Sequence, residues 1–146
     1  MGYVMTSNMP RAIGMGYYWQ YSGNLGNKSN KGTSWYQVYA SGSTTFPAGT
    51  YFIALALPLA ASQNTASAKI RIGTTDLLAV LTNSHTPAAS TGGSYTDVNN
   101  ITGFGKATLS AAVTGTINIV VQGQSADVTW QMLGYNTTSF FIMKLY

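Results

Sequence analysis

The chain has 146 residues, of which only 7% are charged: seven are Lys or Arg, three are Asp and none is Glu. This length fits one domain with a sizeable core, and the absence of cysteine excludes disulfides and thiolate metal sites. The basic residues are scattered, so a net charge of +4 does not supply the clustered cations of a nucleic-acid groove.

The first 33 residues show no sustained period of 2 or 3.6, and we expect them to form an extended N-terminal arm or long loops. The aromatic run "YYWQY" lies in this segment, and leaving it in water would be costly. The run packs either on its own domain or on a neighbouring subunit, and the composition favours neither. A short basic loop, "NKSNK", follows at residues 27–31. The segment lacks the charged and apolar regions of a signal peptide.

From Ser34 to Tyr146 the pattern alternates strands and turns, which indicates a single β-sandwich or barrel domain with no convincing helix. Residues 83–100 form the longest predicted loop, and Thr114-Gly115 predicts a hairpin turn. The longest apolar run, residues 51–61, is about half the length that spans a bilayer. Strands are predicted over 34–40, 50–59, 66–73, 76–82, 107–113, 116–123, 126–133 and 139–146.

Two of these strands, 50–59 and 139–146, are apolar at both odd and even positions. In 66–73, by contrast, Ala68, Ile70 and Ile72 alternate with polar residues, which is typical of a half-buried strand. A strand that is apolar on both faces is commonly buried on both sides. The second face then packs either against a copy of the chain or, without any oligomer, remains at the surface.

Three segments, "STTFPAGTYFIALAL", "VTGTINIVVQG" and "YNTTSFFIMKLY", together resemble the jelly-roll domains of the TNF/C1q type. The resemblance covers residues 34–146. It implies an eight-stranded jelly-roll sandwich that assembles as a homotrimer. In such trimers the first strand, the last strand and two others form an inner sheet, whose outward face lines the threefold interface.

The resemblance also assigns the two faces of the last strand. Phe141, Met143 and Leu145 are expected to face the sandwich core, and Lys144 lies at or near the rim. The residues expected at the trimer interface are Phe140, Ile142 and Tyr146.

This architecture is widespread in bacteriophage structural proteins, and the sequence is most similar to the jelly-roll head decoration proteins of long-tailed thermophilic phages. The implied function is a homotrimeric cementing protein on the outer surface of the virion, with the major capsid protein as its partner. Arm aromatics would anchor in clefts of a neighbouring subunit or of the shell, and arm lysines would contact acidic groups at the rim. These residues are Tyr17, Tyr18, Trp19, Tyr21, Lys28 and Lys31.

Catalysis and cofactors are not expected. His85 is the only histidine; it lies next to Ser84 in a polar loop, and no nucleophile elbow accompanies it. The three aspartates are far apart in sequence, so they provide neither paired carboxylates nor a metal cluster. We therefore predict a protein that is not an enzyme, has no cofactor and binds neither nucleic acid nor membrane. Two alternatives remain open: a receptor-binding head of a phage tail fibre or spike, and a secreted TNF/C1q-like or lectin-like module.

Overall fold

The computed structural model of the chain describes residues 18–61, 66–81, 99–132 and 137–146. These ranges contain ten strands and no helix, so the all-β prediction is confirmed and no described segment is a helix able to cross a membrane. The strands are β1 (Tyr18–Gly23), β2 (Lys28–Lys31), β3 (Tyr36–Phe46), β4 (Gly49–Ala61), β5 (Ala66–Ile72), β6 (Thr75–Leu81), β7 (Asn99–Leu109), β8 (Val113–Gly123), β9 (Thr129–Met132) and β10 (Thr138–Lys144).

The strands form two antiparallel sheets that pack face to face. In the first sheet β4 pairs with β10 on one side and β7 on the other, and β1 pairs with the far edge of β10. The last residues of β4 pair with β9, which in turn pairs with β2. The second sheet has the order β3-β8-β5-β6. Several successive strands, such as β3 and β4, lie in different sheets, which is the arrangement of a jelly roll.

The core lies between the sheets and is built from alternate residues of each strand. The predicted alternation in β5 is confirmed, because its three apolar positions are buried while Lys69 and Arg71 point outward. Tyr51 closes one end of the core: its hydroxyl donates a hydrogen bond of 2.6 Å to the carbonyl oxygen of Pro47. Fully buried residues include Ile53, Leu57, Ala68, Ile70, Ile72, Ile117, Ile119 and Val121.

The predicted hairpin turn at Thr114-Gly115 is wrong. Both residues lie inside β8, where they pair with Thr45 and Thr44 of β3. The preceding strand, β7, pairs with β4 in the other sheet, so the connection between β7 and β8 crosses the sandwich. A side chain at position 115 would come within 3.0 Å of the Gly73 backbone nitrogen. The glycine therefore reflects a close approach of two backbones inside a strand.

The assignment of faces along β10 is also wrong. Phe140 pairs with Leu55, and Ile142 pairs with Ile53, and all four side chains are buried in the core of the same chain. Directly opposed residues of an antiparallel pair share a face, so Phe141 and its outward neighbours lie on the opposite side. Phe140 and Ile142 are therefore core residues and are not available to a trimer interface.

The predicted arm over residues 1–33 needs correction from residue 18 onward, because β1 and β2 belong to the sandwich. Trp19 and Tyr21 are buried in the core. The Tyr21 ring lies 4.6 Å from the Tyr39 ring and 5.7 Å from the Phe140 ring, measured between centroids. These two aromatics therefore pack on their own domain. Removal of residues 1–33 would take part of the core with it.

Ionic side chains gather on the outer face of the second sheet. Asp76 accepts hydrogen bonds of 2.6 Å from Lys69 Nζ and from Arg71 Nε. The Lys69 ammonium lies 4.8 Å and the Arg71 guanidinium carbon 5.4 Å from the centroid of the Trp35 ring. We call these four residues the Trp35 cluster. Partial burial alone would raise the pKa of Asp76, but the hydrogen bonds and charges of the two cations outweigh it and hold that pKa below its usual value.

The placement of Ile142 predicts a large effect of its truncation on the stability of the subunit. Ile142→Ala should lower the free energy of unfolding by about 2–5 kcal/mol, because it removes a fully buried side chain from a packed core. Urea denaturation at matched protein concentrations measures the effect. Met143→Ala, which truncates the adjacent outward residue, is the control. A larger loss for Met143→Ala would mean that the core lies on the other face of β10.

Asp76 predicts a loss of stability in acid. Its folded-state pKa is lowered, so its contribution is fully present above the unfolded-state pKa of about 3.9 and is lost as the pH falls through the folded-state value. The difference in unfolding free energy between wild type and Asp76→Asn should therefore be largest near neutral pH and shrink below about pH 4. Thermal denaturation across this range tests it, with Asp127→Asn as the control. A difference that stayed constant down to pH 2 would contradict the assignment.

Candidate functional site

The outer face of the four strands β1, β10, β4 and β7 is the candidate site, and we call it the outer apolar face. Its residues are the outward positions of each strand, which the register aligns into cross-strand rows. One row places Phe141 of β10 beside Ala54 of β4 and Ala54 beside Phe104 of β7. Phe104 is 76% exposed. The apolar members of the face are Phe52, Ala54, Ala56, Phe104, Phe141 and Met143.

A shallow hollow with a volume of about 320 Å³ lies in the middle of this face. Phe104 and Phe141 form two of its walls, and Ala54 and Ala56 contribute the small side chains between them. The hollow exists because β4 carries Ala54 between Phe141 and Phe104, and the next outward residue, Ala56, is also small. An apolar cavity of about 150 Å³ holds a benzene molecule, so this hollow has room for an aromatic side chain.

Three phenylalanines form a ridge beside the hollow. The Phe52 ring centroid lies 5.6 Å from that of Phe141 and 6.1 Å from that of Phe104. Of the charged residues in the described ranges, Lys106 is the one opposite Phe52 on the β7 margin of this face. Covering the face would therefore remove much apolar surface from water and desolvate little charge. This arrangement suits protein–protein contact.

The structure places the predicted interface residues differently from the sequence. Phe140 and Ile142 lie beneath the outer apolar face, in the core. Tyr146 follows the end of β10 and is 77% exposed. Its carbonyl oxygen accepts a hydrogen bond of 2.7 Å from the Thr50 N–H, so the C-terminal residues continue alongside β4.

The predicted arm contacts are not brought together. Trp19 and Tyr21 are buried, Tyr18 pairs through its backbone with Met143, and Tyr17 lies outside the described residues. Lys28 and Lys31 belong to β2, which is not one of the four strands of the outer apolar face. The Lys31 ammonium lies 3.8 Å from Asp127, and both side chains are largely exposed. His85 and Ser84 also lie outside the described residues.

Phe104 is the site residue that the sequence did not reveal. It occurs in the segment "TGFGK", where Gly103 and Gly105 lower the β propensity and conceal the strand. A side chain at position 105 would come within 3.0 Å of Leu78 Cδ1. A larger residue on this inner side of β7 would therefore need the end of the Leu78 side chain to shift. The available signal in the sequence was a phenylalanine between two glycines. Only the pairing of β7 with β4 shows that this phenylalanine projects from the outer face.

Comparison with known proteins identifies the fold. No protein-family model and no curated protein matches the chain. The solved structure of Eiger TNF from S. frugiperda matches with 15% sequence identity and a TM-score of 0.53, over 88% of this chain and 92% of that chain. At this identity the likeness concerns the fold alone.

Capsid proteins of infectious bursal disease virus match less well. The T13 viral particle gives 8% identity and a TM-score of 0.49 over 89% of this chain, and the VP2 subviral particle gives 13% and 0.44 over 88%. This chain spans 36% and 37% of those chains. None of these three structures is a phage decoration protein, so that part of the resemblance remains a prediction. The match to Eiger TNF confirms that the chain folds as a TNF-type jelly roll.

Proposed function

We propose that the chain is a viral structural protein, a homotrimeric capsid decoration protein whose subunits pack through the outer apolar face. The observation that carries the proposal is this face, with its exposed Phe104 and the hollow beside it. The apolar members of the face lie on three neighbouring strands, which are spaced about 4.8 Å apart. Contiguous exposed apolar patches of this kind are often functional.

A second copy of the chain is the proposed occupant of the face. Phe104 projects from one margin, and the hollow over Ala54 and Ala56 lies further inside. The projecting Phe104 side chain and the hollow occupy different positions of one surface. Phe104 of one copy can therefore enter the hollow of the next copy. Such a head-to-tail contact closes into a ring when the rotation between copies closes. The resemblance to TNF/C1q-type domains supports a ring of three.

The capsid part of the proposal is supported by the resemblance to phage decoration proteins and by the low charge of the chain. A surface with few charges has little electrostatic repulsion to keep subunits apart. Trp19 and Tyr21 are no longer candidates for shell contacts, because they are buried. Lys28 and Lys31 remain proposed contacts with acidic groups of the shell.

The proposed assembly is tested by introducing a negative charge at position 104. Phe104→Asp should convert the trimer to monomers at micromolar concentration, because the interface would bury an unpaired carboxylate at a cost of several kcal/mol. Sedimentation velocity measures the change in mass. Ser43→Asp adds the same charge to an exposed position of the second sheet and should leave the trimer intact. A wild-type monomer at all accessible concentrations would refute the interface.

The decoration proposal is tested by comparing the binding of the protein to capsids with its binding to host cells. Labelled wild-type protein should cosediment with purified expanded capsids that lack it and should not bind host cells. Electron microscopy of the parent particle should show trimeric density on the shell. Binding to cells without binding to capsids, with density at the tail tip, would instead identify a receptor-binding head.

A further inference from the structure

The Trp35 cluster contains hydrogen-bond donors that its own members do not use. A guanidinium group has five N–H donors and an ammonium group has three. Arg71 donates to Asp76 through Nε, and Lys69 donates to the other oxygen of the same carboxylate. The Nη groups of Arg71 make no hydrogen bond with any residue in the described ranges. Two cations share one carboxylate, so the cluster retains one positive charge.

The cluster is held in place and is open to solvent. The side chains of Lys69 and Arg71 are each 23% exposed, and that of Asp76 is 43% exposed. The Trp35 ring and the Asp76 carboxylate restrain both cations on neighbouring positions of β5. Val120 lies opposite Lys69 on this same outer face and is nevertheless buried, so the floor of the cluster is apolar. Cations fixed in advance lose less conformational entropy when they bind a ligand.

We propose that the Trp35 cluster is a binding site for a single carboxylate, presented by an acidic side chain of a partner protein. The planar guanidinium matches a carboxylate in a two-point contact. Asp76, already within the cluster, repels a doubly charged phosphate more strongly than a carboxylate. Nucleic acid requires a longer track of cations. A sugar would have to stack on the face of the Trp35 ring, and the two cations already approach that face. Sugar binding is therefore disfavoured.

The site is independent of the trimer and capsid proposals. It lies on the outer face of the second sheet, and the outer apolar face lies on the first sheet at the opposite side of the sandwich. Both surfaces can therefore be occupied at once. The Trp35 site depends on residues of β5 and β6 and on Trp35, which immediately precedes β3, so a failure of trimer formation or of capsid binding leaves it untouched.

Binding can be measured through the fluorescence of the chain with hexaglutamate as the probe. Two of the three tryptophans, Trp19 and Trp130, are 3% and 0% exposed, so quenching by neutral acrylamide reports mainly on Trp35. Hexaglutamate should protect wild-type protein from quenching in a saturable manner. Arg71→Gln should weaken the apparent affinity about tenfold, which corresponds to the loss of one charged hydrogen-bond pair. Lys106→Gln removes a cation from the other sheet and is the matched control.

Asp76→Asn separates binding from a purely structural role. It frees both cations from their internal partner, so it should tighten hexaglutamate binding even though it removes a stabilising ion pair. A merely structural cluster would lose binding together with stability. The proposal is overturned if Lys106→Gln weakens binding as much as Arg71→Gln, if Asp76→Asn weakens it, or if inorganic phosphate displaces the peptide at equal concentration of charge.

Discussion

The pairing of β4 with strands on both sides is the constraint on which the rest of the molecule depends. Its backbone pairs with β7 along most of its length and with β10 over residues 51–56, and its last residues recruit β9. Ile53, Leu55 and Leu57 must face the core, because a slip of one residue would expose all of them. That requirement sets the register of both neighbours. It therefore also decides that Phe104 and Phe141 face outward.

The two sheets carry opposite chemistry on their outer faces. The first presents phenylalanines and alanines around a hollow, and the second presents the Trp35 cluster with its three charged side chains. Only 7% of the residues in the chain are charged. The three charged side chains of the Trp35 cluster therefore contrast with the mainly apolar outer face of the first sheet. An apolar face gains free energy from any well-fitting apolar partner. A fixed pair of cations selects by charge and geometry. The two outer faces of the molecule therefore differ in the chemistry of the partner that each would favour.

The jelly-roll fold explains why local propensity fails at particular glycines. Gly115 lies near the start of β8, although its sequence context indicates a turn, and the Gly73 backbone there leaves little room for a side chain. Gly105 in β7 lies close to the end of the Leu78 side chain, which belongs to the other sheet. In both strands glycine lowers the intrinsic preference for β structure while permitting a close approach. Contacts distant in sequence outweigh local preference at these positions.

The β-forming residues and the regular turn signals were enough to identify an all-β chain and the strands around 50–59, 66–73 and 116–123. Alternation carries the information in 66–73, where it gave the inward set Ala68, Ile70 and Ile72, and in 116–123. In residues 139–146 both faces are apolar, and only pairing with β4 decided that Phe140 turns inward and Phe141 outward. Only tertiary contacts placed Trp19 and Tyr21 in the core, because a strand of six residues is too short for its alternation to stand out from the irregular segment around it. An alternating pattern determines that side chains take opposite faces, but the partner strands determine which face is inside.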